Sequence, residues 1–295
     1  MLNERVVDII TEEKKLKVSK LKVALDSGED RMIRVDPSDL VMITLGSVGS
    51  GTVLGTNTTA PDPMAVNSEE SVSSDWSLWL QLAKKSHKFG VPSNFCSRVS
   101  ESRLMTFTVT LGSTEFFDRL FELTHNRPGD QPVLSLKDSN WALSLNMAHQ
   151  PLFRDQPANT YVFFGYSLQP WREGKFVKKP MLECSGREIM TEILQLLRFP
   201  LEPILSSSTT VPCVMPELTA PLLSRTCEDR PKVIPEDTSN LALLGQFVDI
   251  PDEATGSLEY SVRGAEIAVH HLMGLPKNIR KSRRNHVVEF LDVLA

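Results

Sequence analysis

The sequence predicts a mixed α/β protein, on three observations. Residues 15–25 alternate polar and apolar side chains, which is typical of a half-buried strand. Several later segments carry apolar residues at helical spacing behind residues that favour helix starts. Near the end, 241–247 form an apolar strand segment with a glycine turn, and 256–273 have a helical pattern. Strands and helices therefore alternate along the chain.

The first elements predict a hairpin. After the strand at 15–25, residues 26–30 predict a turn and residues 31–35 predict a second strand. Residues 41–44 are an apolar run suited to a buried strand. A chain that begins this way opens in the middle of a sheet and leaves a strand edge and an apolar face uncovered. We therefore expect poor solubility or formation of a homo-oligomer.

A long loop and a helix follow. Residues 46–74 are rich in Gly, Ser, Thr, Asn and Pro and predict a loop. Residues 75–88 predict an amphipathic helix that Asp75 caps and that Gly90 and Pro92 terminate. Further strands are predicted at 104–110, 141–147 and 160–168, and further helices at 114–125 and 186–198. Helix 186–198 follows a capping box that begins at Ser185.

Composition narrows the function classes. The 295 residues carry a formal net charge of -5, which argues against nucleic acid as the main partner. The four cysteines form no C-x-x-C pair, which argues against a zinc or redox motif. The N-terminus lacks the pattern of a signal peptide, and no apolar stretch is long enough for a membrane helix. These features predict a cytoplasmic protein with reduced thiols.

Two glycine segments are candidate ligand sites. The run from Gly46 through Ser47 to Gly51 follows a predicted strand, so its backbone could approach a phosphate or a flavin. Its spacing is not that of a dinucleotide fingerprint, and the pattern alone favours a loop. At 245–247, Gly245, Gln246 and Phe247 end another strand, where α/β sheets bind ligands. A ligand site and a plain tight turn are equally good interpretations of that segment.

Polar residues after another strand are a weaker candidate. Asn146, His149 and Gln150 could together bind a carboxylate, although a strand edge with polar caps is the simpler interpretation. His270 and His271 lie at the end of a predicted helix and suit its dipole. The histidines show no metal-ligand spacing, so no metal site is predicted.

The tail combines a basic cluster at 277–284 with apolar spacing at 285–295. Such a segment can contact an anionic membrane surface peripherally. A solvated tail is an equally good interpretation.

Three long segments resemble one family, the oleate hydratases or 67 kDa myosin-cross-reactive antigens. They are SDLVMITLGSVGSGTVLG at 38–55, FVKKPMLECSGREI at 176–189, and LLGQFVDIPDE at 243–253 with EYSVR after it. The similarity extends in order over roughly residues 36–275. The chain resembles the C-terminal part of these proteins, and we expect that it lacks their N-terminal dinucleotide-binding segment.

The resemblance implies a fold. It is a partial FAD/NAD(P)-binding Rossmann-like domain with an inserted mixed α/β substrate domain. Residues 1–60 would be the C-terminal sheet portion of the FAD domain, 61–225 the fatty-acid domain, 226–275 the closing strand and helix of the FAD domain, and 276–295 the basic, amphipathic tail.

The resemblance also implies an activity. Oleate hydratases use FAD and add water to the cis-9 double bond of unsaturated long-chain fatty acids, converting oleate to 10-hydroxystearate. Their acid and base residues lie in upstream motifs that this sequence lacks, so no catalytic residue can be assigned. A hydro-lyase and a catalytically inactive remnant that binds flavin or lipid, or complements another subunit, are both consistent with this. A flavin oxidoreductase of the amine-oxidase type fits less well.

Site residues follow from the matched motifs. The resemblance assigns cofactor binding to Gly46, Ser47, Gly245, Gln246, Phe247, Glu259, Tyr260 and Ser261. It assigns fatty-acid binding to Asn146, His149 and Gln150. Leu45 stands where the family usually has asparagine, and Glu217 where it usually has an aromatic residue.

Overall fold

The computed structural model describes residues 4–12, 16–25, 27–63, 74–131, 133–251, 253 and 255–276. Most of the predicted basic tail, from 277 onward, therefore lies outside the described residues. The same holds for 64–73, the second part of the predicted long loop.

The described residues form a mixed α/β structure, as predicted. The strands are β1 (Glu4–Thr11), β2 (Val18–Leu25), β3 (Asp30–Arg34), β4 (Val41–Thr44), β5 (Val53–Leu54), β6 (Leu104–Leu111), β7 (Val133–Ser135), β8 (Leu143–Asn146), β9 (Tyr161–Ser167), β10 (Ser208–Met215) and β11 (Leu241–Leu244). The α-helices are α1 (Ser74–Lys85), α2 (Ser93–Cys96), α3 (Val99–Ser102), α4 (Glu115–Thr124), α5 (Gly186–Leu197) and α6 (Leu258–Leu272). Short 3-10 helices lie at His87–Phe89, Met181–Glu183, Ala220–Leu222 and Cys227–Asp229.

The chain divides into two compact units. The terminal unit comprises 1–50, 72–101 and 219–295, and the central unit comprises 51–71 and 102–218. Each unit has its own cluster of buried apolar side chains. The assignment of chain ranges to a cofactor domain and a fatty-acid domain stays a prediction.

The terminal unit begins with an antiparallel sheet of order β1-β2-β3. The hairpin of β2 and β3 confirms the sequence prediction. The expectation that the first strand lies at 15–25 is wrong, because β1 precedes it and pairs with β2. The segment ERVVDIIT does not alternate regularly, and its register shifts at two places, so its pattern did not indicate a strand.

A second sheet in the terminal unit positions the candidate site. Strands β4 and β11 are parallel and pair from Val41 with Leu241 to Thr44 with Leu244. Helix α6 contacts β11, and α1 contacts β1. The first three of the four residues of β11, Leu241, Ala242 and Leu243, are completely buried. Burial on all sides is expected of a covered parallel strand and explains the uniformly apolar sequence of β11, whereas β4 is exposed at Met42 and Thr44.

The central unit is built on a six-stranded antiparallel sheet of order β5-β10-β6-β9-β8-β7. Along β6 every second residue is buried, from Met105 to Leu111. These side chains pack in one core with Phe116 and Leu120 of α4 and Ile189 of α5. The opposite face of the sheet is not covered to the same extent, as described below.

Candidate functional site

The ends of β4 and β11 lie side by side because the two strands are parallel and in register. Leu45 N–H donates to the Leu244 carbonyl at 3.1 Å, just beyond the last strand pair. Gly46 then turns with φ 61° and Gly245 with φ 102°, values that disfavour side chains. The structure thus brings the two predicted glycine segments together at the carboxyl edge of a parallel sheet, where such sheets bind ligands.

Gly46 is required by its surroundings as well as by its backbone. A Cβ atom here would lie 2.8 Å from the Trp76 ring and 3.0 Å from the Phe247 ring. Phe247 is 1% exposed, with its ring centroid 4.9 Å from that of Trp76 and 5.3 Å from that of Phe95. Phe247 therefore supports the turn from behind, within a cluster of protein rings.

The backbone of the two turns offers hydrogen-bond donors. The amide N–H groups of Gly46, Ser47 and Gln246 donate to none of the residues that the structure describes. Ser47 and Gln246 are half-buried, and the Ser47 carbonyl accepts from Ser50 N–H at 3.3 Å. Adjacent N–H groups at such turns suit the oxygens of phosphates or of a flavin ring.

Arg230 holds the segment after Gly245 in place, and no pattern in the sequence singles it out. Its Nη1 donates to the carbonyls of Gln246 and Val248 and, at 3.3 Å, to the Tyr260 hydroxyl. Burial lowers the pKa of this guanidinium from its usual value. A single arginine in a sequence does not reveal that it will be buried, since most are exposed.

Tyr260 is the second anchor of this segment. Its hydroxyl donates to the Val248 carbonyl at 2.7 Å and accepts from Ile250 N–H at 3.1 Å. Burial raises the pKa of the phenol. The Ser257 side chain caps α6 by accepting from Tyr260 N–H at 3.2 Å. Tyr260 thus fixes the loop between β11 and α6 from inside.

The two other predicted residues on α6 have different environments. Glu259 is largely exposed, and its carboxylate lies 3.7 Å from the Arg263 guanidinium. Ser261 is half-buried. Of the eight predicted cofactor residues, the structure therefore brings Gly46, Ser47, Gly245 and Gln246 to one edge, while Phe247 and Tyr260 support that edge.

The predicted fatty-acid residues lie in the central unit, whereas the predicted cofactor residues lie in the terminal unit. His149 is exposed, whereas the Gln150 side chain is fully used within the protein. Its amide nitrogen donates to the Ala148 and Val162 carbonyls, and its oxygen accepts from Val162 N–H at 3.1 Å. Gln150 therefore ties the loop after β8 to β9.

Asn146 lies on the open face of the central sheet. It ends β8 and is paired in register with Phe164 of β9 and Val133 of β7. Phe164 is in turn paired in register with Thr108 of β6, and Thr108 is paired with Val211 of β10. These residues form one row across the sheet. Phe164 is 39% exposed and Val133 is 44% exposed. The row across the sheet thus contains three apolar side chains, one amide and one threonine.

Two classes of feature are absent from the part of the chain that the structure describes. No group of three or more His, Cys, Asp or Glu residues there could hold a metal ion. Nor does any helix in the described ranges have the length and hydrophobicity needed to cross a membrane.

Comparison with known proteins identifies the family to which the chain belongs. A family model described as the MCRA family matches residues 1–270. The oleate hydratase of Streptococcus pyogenes serotype M49 (strain NZ131) is 32% identical over 282 residues, covering 90% of this chain and 47% of that protein. The linoleate hydratase of Lactiplantibacillus plantarum is 30% identical over 279 residues, covering 88% and 48%. The chain spans about half the length of these curated relatives. Since the family model covers almost all of it, the chain belongs to the MCRA family.

Proposed function

We propose that this chain binds FAD through the terminal unit and an unsaturated long-chain fatty acid through the central unit, as part of a fatty-acid hydratase. The reaction adds water to the cis-9 double bond, as in the conversion of oleate to 10-hydroxystearate. The observation that carries the proposal is the pair of glycine turns at one edge of a parallel strand pair. The names of the two curated relatives support the reaction class.

The residues at this edge fit a flavin dinucleotide. In this proposal β4, β11 and α6 are part of a Rossmann-like FAD domain. The N–H groups of Gly46, Ser47 and Gln246 hold cofactor oxygens, and Gly245 lets the backbone approach closely. Glu259 and Ser261 stand at the start of α6, with Phe247 and Tyr260 behind the turns. When bound, FAD supplies a ring system that organises the site rather than net electron transfer.

The open face of the central sheet suits an acyl chain. Phe164, Val133 and Val211 offer apolar contacts on alternate strands of the sheet, and burial of such surface favours binding. Asn146 and the exposed His149 supply polar groups for the carboxylate, and Gln150 shapes their loop. Six strands span ~24 Å between the outer two, comparable to an extended long-chain fatty acid.

Hydration also needs an acid at the alkene and a base for water. We assign neither role to a residue of this chain. The second candidate function is therefore a binding polypeptide that holds flavin or lipid without catalysing the reaction.

Flavin retention tests the cofactor proposal. The purified chain is mixed with excess FAD, free flavin is removed, and the visible spectrum is recorded. A retained spectrum with a shifted, structured flavin band supports the proposal. A colourless protein that is folded by circular dichroism contradicts it.

A glycine pair sharpens this test. Gly245→Ala should weaken FAD binding at least tenfold, because it strains the turn at φ 102° and brings a Cβ within 3.2 Å of Thr44. Gly28→Ala is the matched control, since Gly28 has φ 83° and open space around it. Each alanine costs about 1–3 kcal/mol of backbone strain. Equal FAD affinity in both variants would remove Gly245 from the site.

A hydration assay separates the two candidate functions. The FAD-loaded chain is incubated with oleate, and 10-hydroxystearate is measured by mass spectrometry. Product formation above a heat-denatured control identifies a hydro-lyase. Flavin or oleate binding without product identifies the non-catalytic binding polypeptide.

A further inference from the structure

The Arg230 guanidinium is a buried cation that forms no direct ion pair with the residues that the structure describes. The side chain is 8% exposed. All its acceptors among the described residues are neutral, namely the carbonyls of Pro221, Gln246 and Val248 and the hydroxyls of Thr255 and Tyr260. Its Nε–H is buried and has no acceptor in the described part of the chain.

Such an arrangement is costly without an anion. Burying one member of an ion pair alone costs several kcal/mol even after relaxation, so buried charges are normally paired. Burial lowers the pKa of Arg230 and neighbouring Arg225 lowers it further, whereas Tyr260 and Asp249 raise it. An anion close to the guanidinium would offset both lowering effects.

A cavity of about 330 Å³ adjoins Arg230 and is also lined by Arg225. Arg225 Nη1 donates to the Leu223 carbonyl at 2.6 Å, which is again a neutral acceptor, and the guanidinium lies 5.4 Å from the centre of the Phe95 ring. Two arginines thus border one space, and neither forms an ion pair with the described residues.

Two carboxylates also line this cavity. Glu253 lies 3.3 Å from the Arg263 guanidinium, so its charge is already compensated. Asp249 is the second carboxylate that lines the cavity, and its backbone N–H donates to the Pro231 carbonyl at 2.8 Å. Asp249 acts electrostatically on Arg230 and Asp229 acts on Arg225, but neither arginine forms an ion pair with these carboxylates. The hydroxyls of Thr255 and Tyr260 add polar contacts.

We propose that this cavity binds an oxyanion, either a phosphate or a carboxylate, between Arg225 and Arg230. The planar guanidinium group is suited to both because it presents donors in a fixed fork. The bound anion accepts hydrogen bonds from the two guanidinium groups and stabilises the loop from Gln246 to Thr255 that Arg230 holds. The proposal does not depend on flavin or fatty-acid binding.

The test uses the flavin-free chain with inorganic phosphate and, separately, acetate as probes. Melting temperature is measured against anion concentration at constant ionic strength set with sodium chloride. Phosphate and acetate also act on the whole protein surface, so each variant is compared with wild type under the same salts. Wild type should show saturable stabilisation by one of the two anions, and the stronger one identifies the ligand class.

Arg225→Met should weaken this anion at least tenfold, because half-exposed Arg225 can be replaced with less risk to folding than Arg230. Arg225→Lys should show an intermediate loss, since it keeps the charge but not the fork. Arg31→Met is the control, as Arg31 is an exposed arginine of the same unit that pairs with Glu4. It should respond like wild type.

Two results overturn the proposal. One is a wild-type chain that neither anion stabilises beyond the chloride reference. The other is an Arg225→Met variant whose anion response equals that of wild type. If Arg225→Met does not fold, calorimetric titration of phosphate and acetate into the wild-type chain decides. Saturable binding supports the site, and no heat of binding with either anion overturns it.

Discussion

Glu192 shows how a single residue can take a role that its sequence context hides. Its carboxylate is completely buried in the central unit. It accepts backbone N–H groups from Lys175 at 2.7 Å, Phe176 at 2.9 Å and Val177 at 2.8 Å. A buried carboxylate with three such donors fixes this loop against α5.

Replacing Glu192 should therefore destabilise the central unit. Glu192→Ala removes the acceptor of three partly buried backbone N–H groups, so we expect the free energy of unfolding to fall by about 3 kcal/mol. Glu192→Gln retains one acceptor oxygen and should cost less. Urea unfolding followed by circular dichroism measures both, with exposed Glu122→Ala as control. If Glu192→Ala lost less free energy of unfolding than Glu122→Ala, the result would contradict this role.

Cys184 provides a pH test at the same scale. Burial raises the pKa of its thiol to about 12 from 9.0. The folded state therefore resists forming the thiolate that the unfolded chain forms above pH 9. The contribution of this thiol to the free energy of unfolding should be complete below pH 9 and should be lost as the pH rises from 9 towards 12.

The measurement is the free energy of unfolding at pH 8 and at pH 10 for wild type and Cys184→Ala. Other groups titrate in both proteins, so the difference between them isolates the thiol. We expect the wild type to lose more stability over this range than the variant. An equal loss in both would show that the thiol ionises freely in the folded protein.

Helix α5 is the element whose local sequence and tertiary contacts agree most closely. The predicted capping box is confirmed, with Ser185 N–H donating to the Glu188 carboxylate at 2.8 Å and the Ser185 side chain accepting from Glu188 N–H. The next residue, Gly186, meets the sheet directly. A Cβ atom there would lie 1.8 Å from the Thr210 carbonyl oxygen.

Two glycine substitutions in helices should therefore have opposite effects. Gly186→Ala forces α5 away from β10, so we expect a loss of several kcal/mol, as in other overpacked cores. Gly264→Ala on α6 makes only ordinary contacts, the closest at 3.5 Å from Ile250. It should be neutral or stabilise by up to about 1 kcal/mol, since alanine favours helix. Thermal unfolding measures both, and a neutral Gly186→Ala would show that α5 shifts without cost.

At the scale of the whole molecule, the two separate cores are the main feature. Phe107 is buried with the central cluster and Leu243 with the terminal one. Domains with their own cores can unfold separately, in which case one free energy does not describe the whole chain. The expectation of a homo-oligomer stays a prediction that size-exclusion chromatography can test.

Cavity-forming substitutions should act on one core at a time. Phe107→Ala and Leu243→Ala should each cost about 2–5 kcal/mol in the unit that contains them. Hydrogen exchange followed by mass spectrometry should show faster exchange in β6 and β10 for the first variant and in β4 and β11 for the second. Faster exchange in both units of either variant would indicate a single cooperative structure.

The longer helices could be predicted within a few residues because periodicity and capping are local. Helix 75–88 is found as Ser74–Lys85, 186–198 as Gly186–Leu197 and 256–273 as Leu258–Leu272. The strand predicted at 241–247 ends at Leu244, because Gly245 turns the backbone there. Strand β1 was missed because its pairing, rather than its own pattern, makes it a strand.

The sequence by itself determined the mixed α/β class, the main helices and the resemblance to a hydratase family, since these depend on spacing and on long motifs. Tertiary structure decided which residues meet. It brought Gly46 and Gly245 to one edge across nearly 200 residues of chain, turned Phe247 and Tyr260 inward as supports, and buried Arg230 among neutral acceptors. Burial and neighbours set the charge state and contacts of a side chain, and neither is encoded in its immediate sequence.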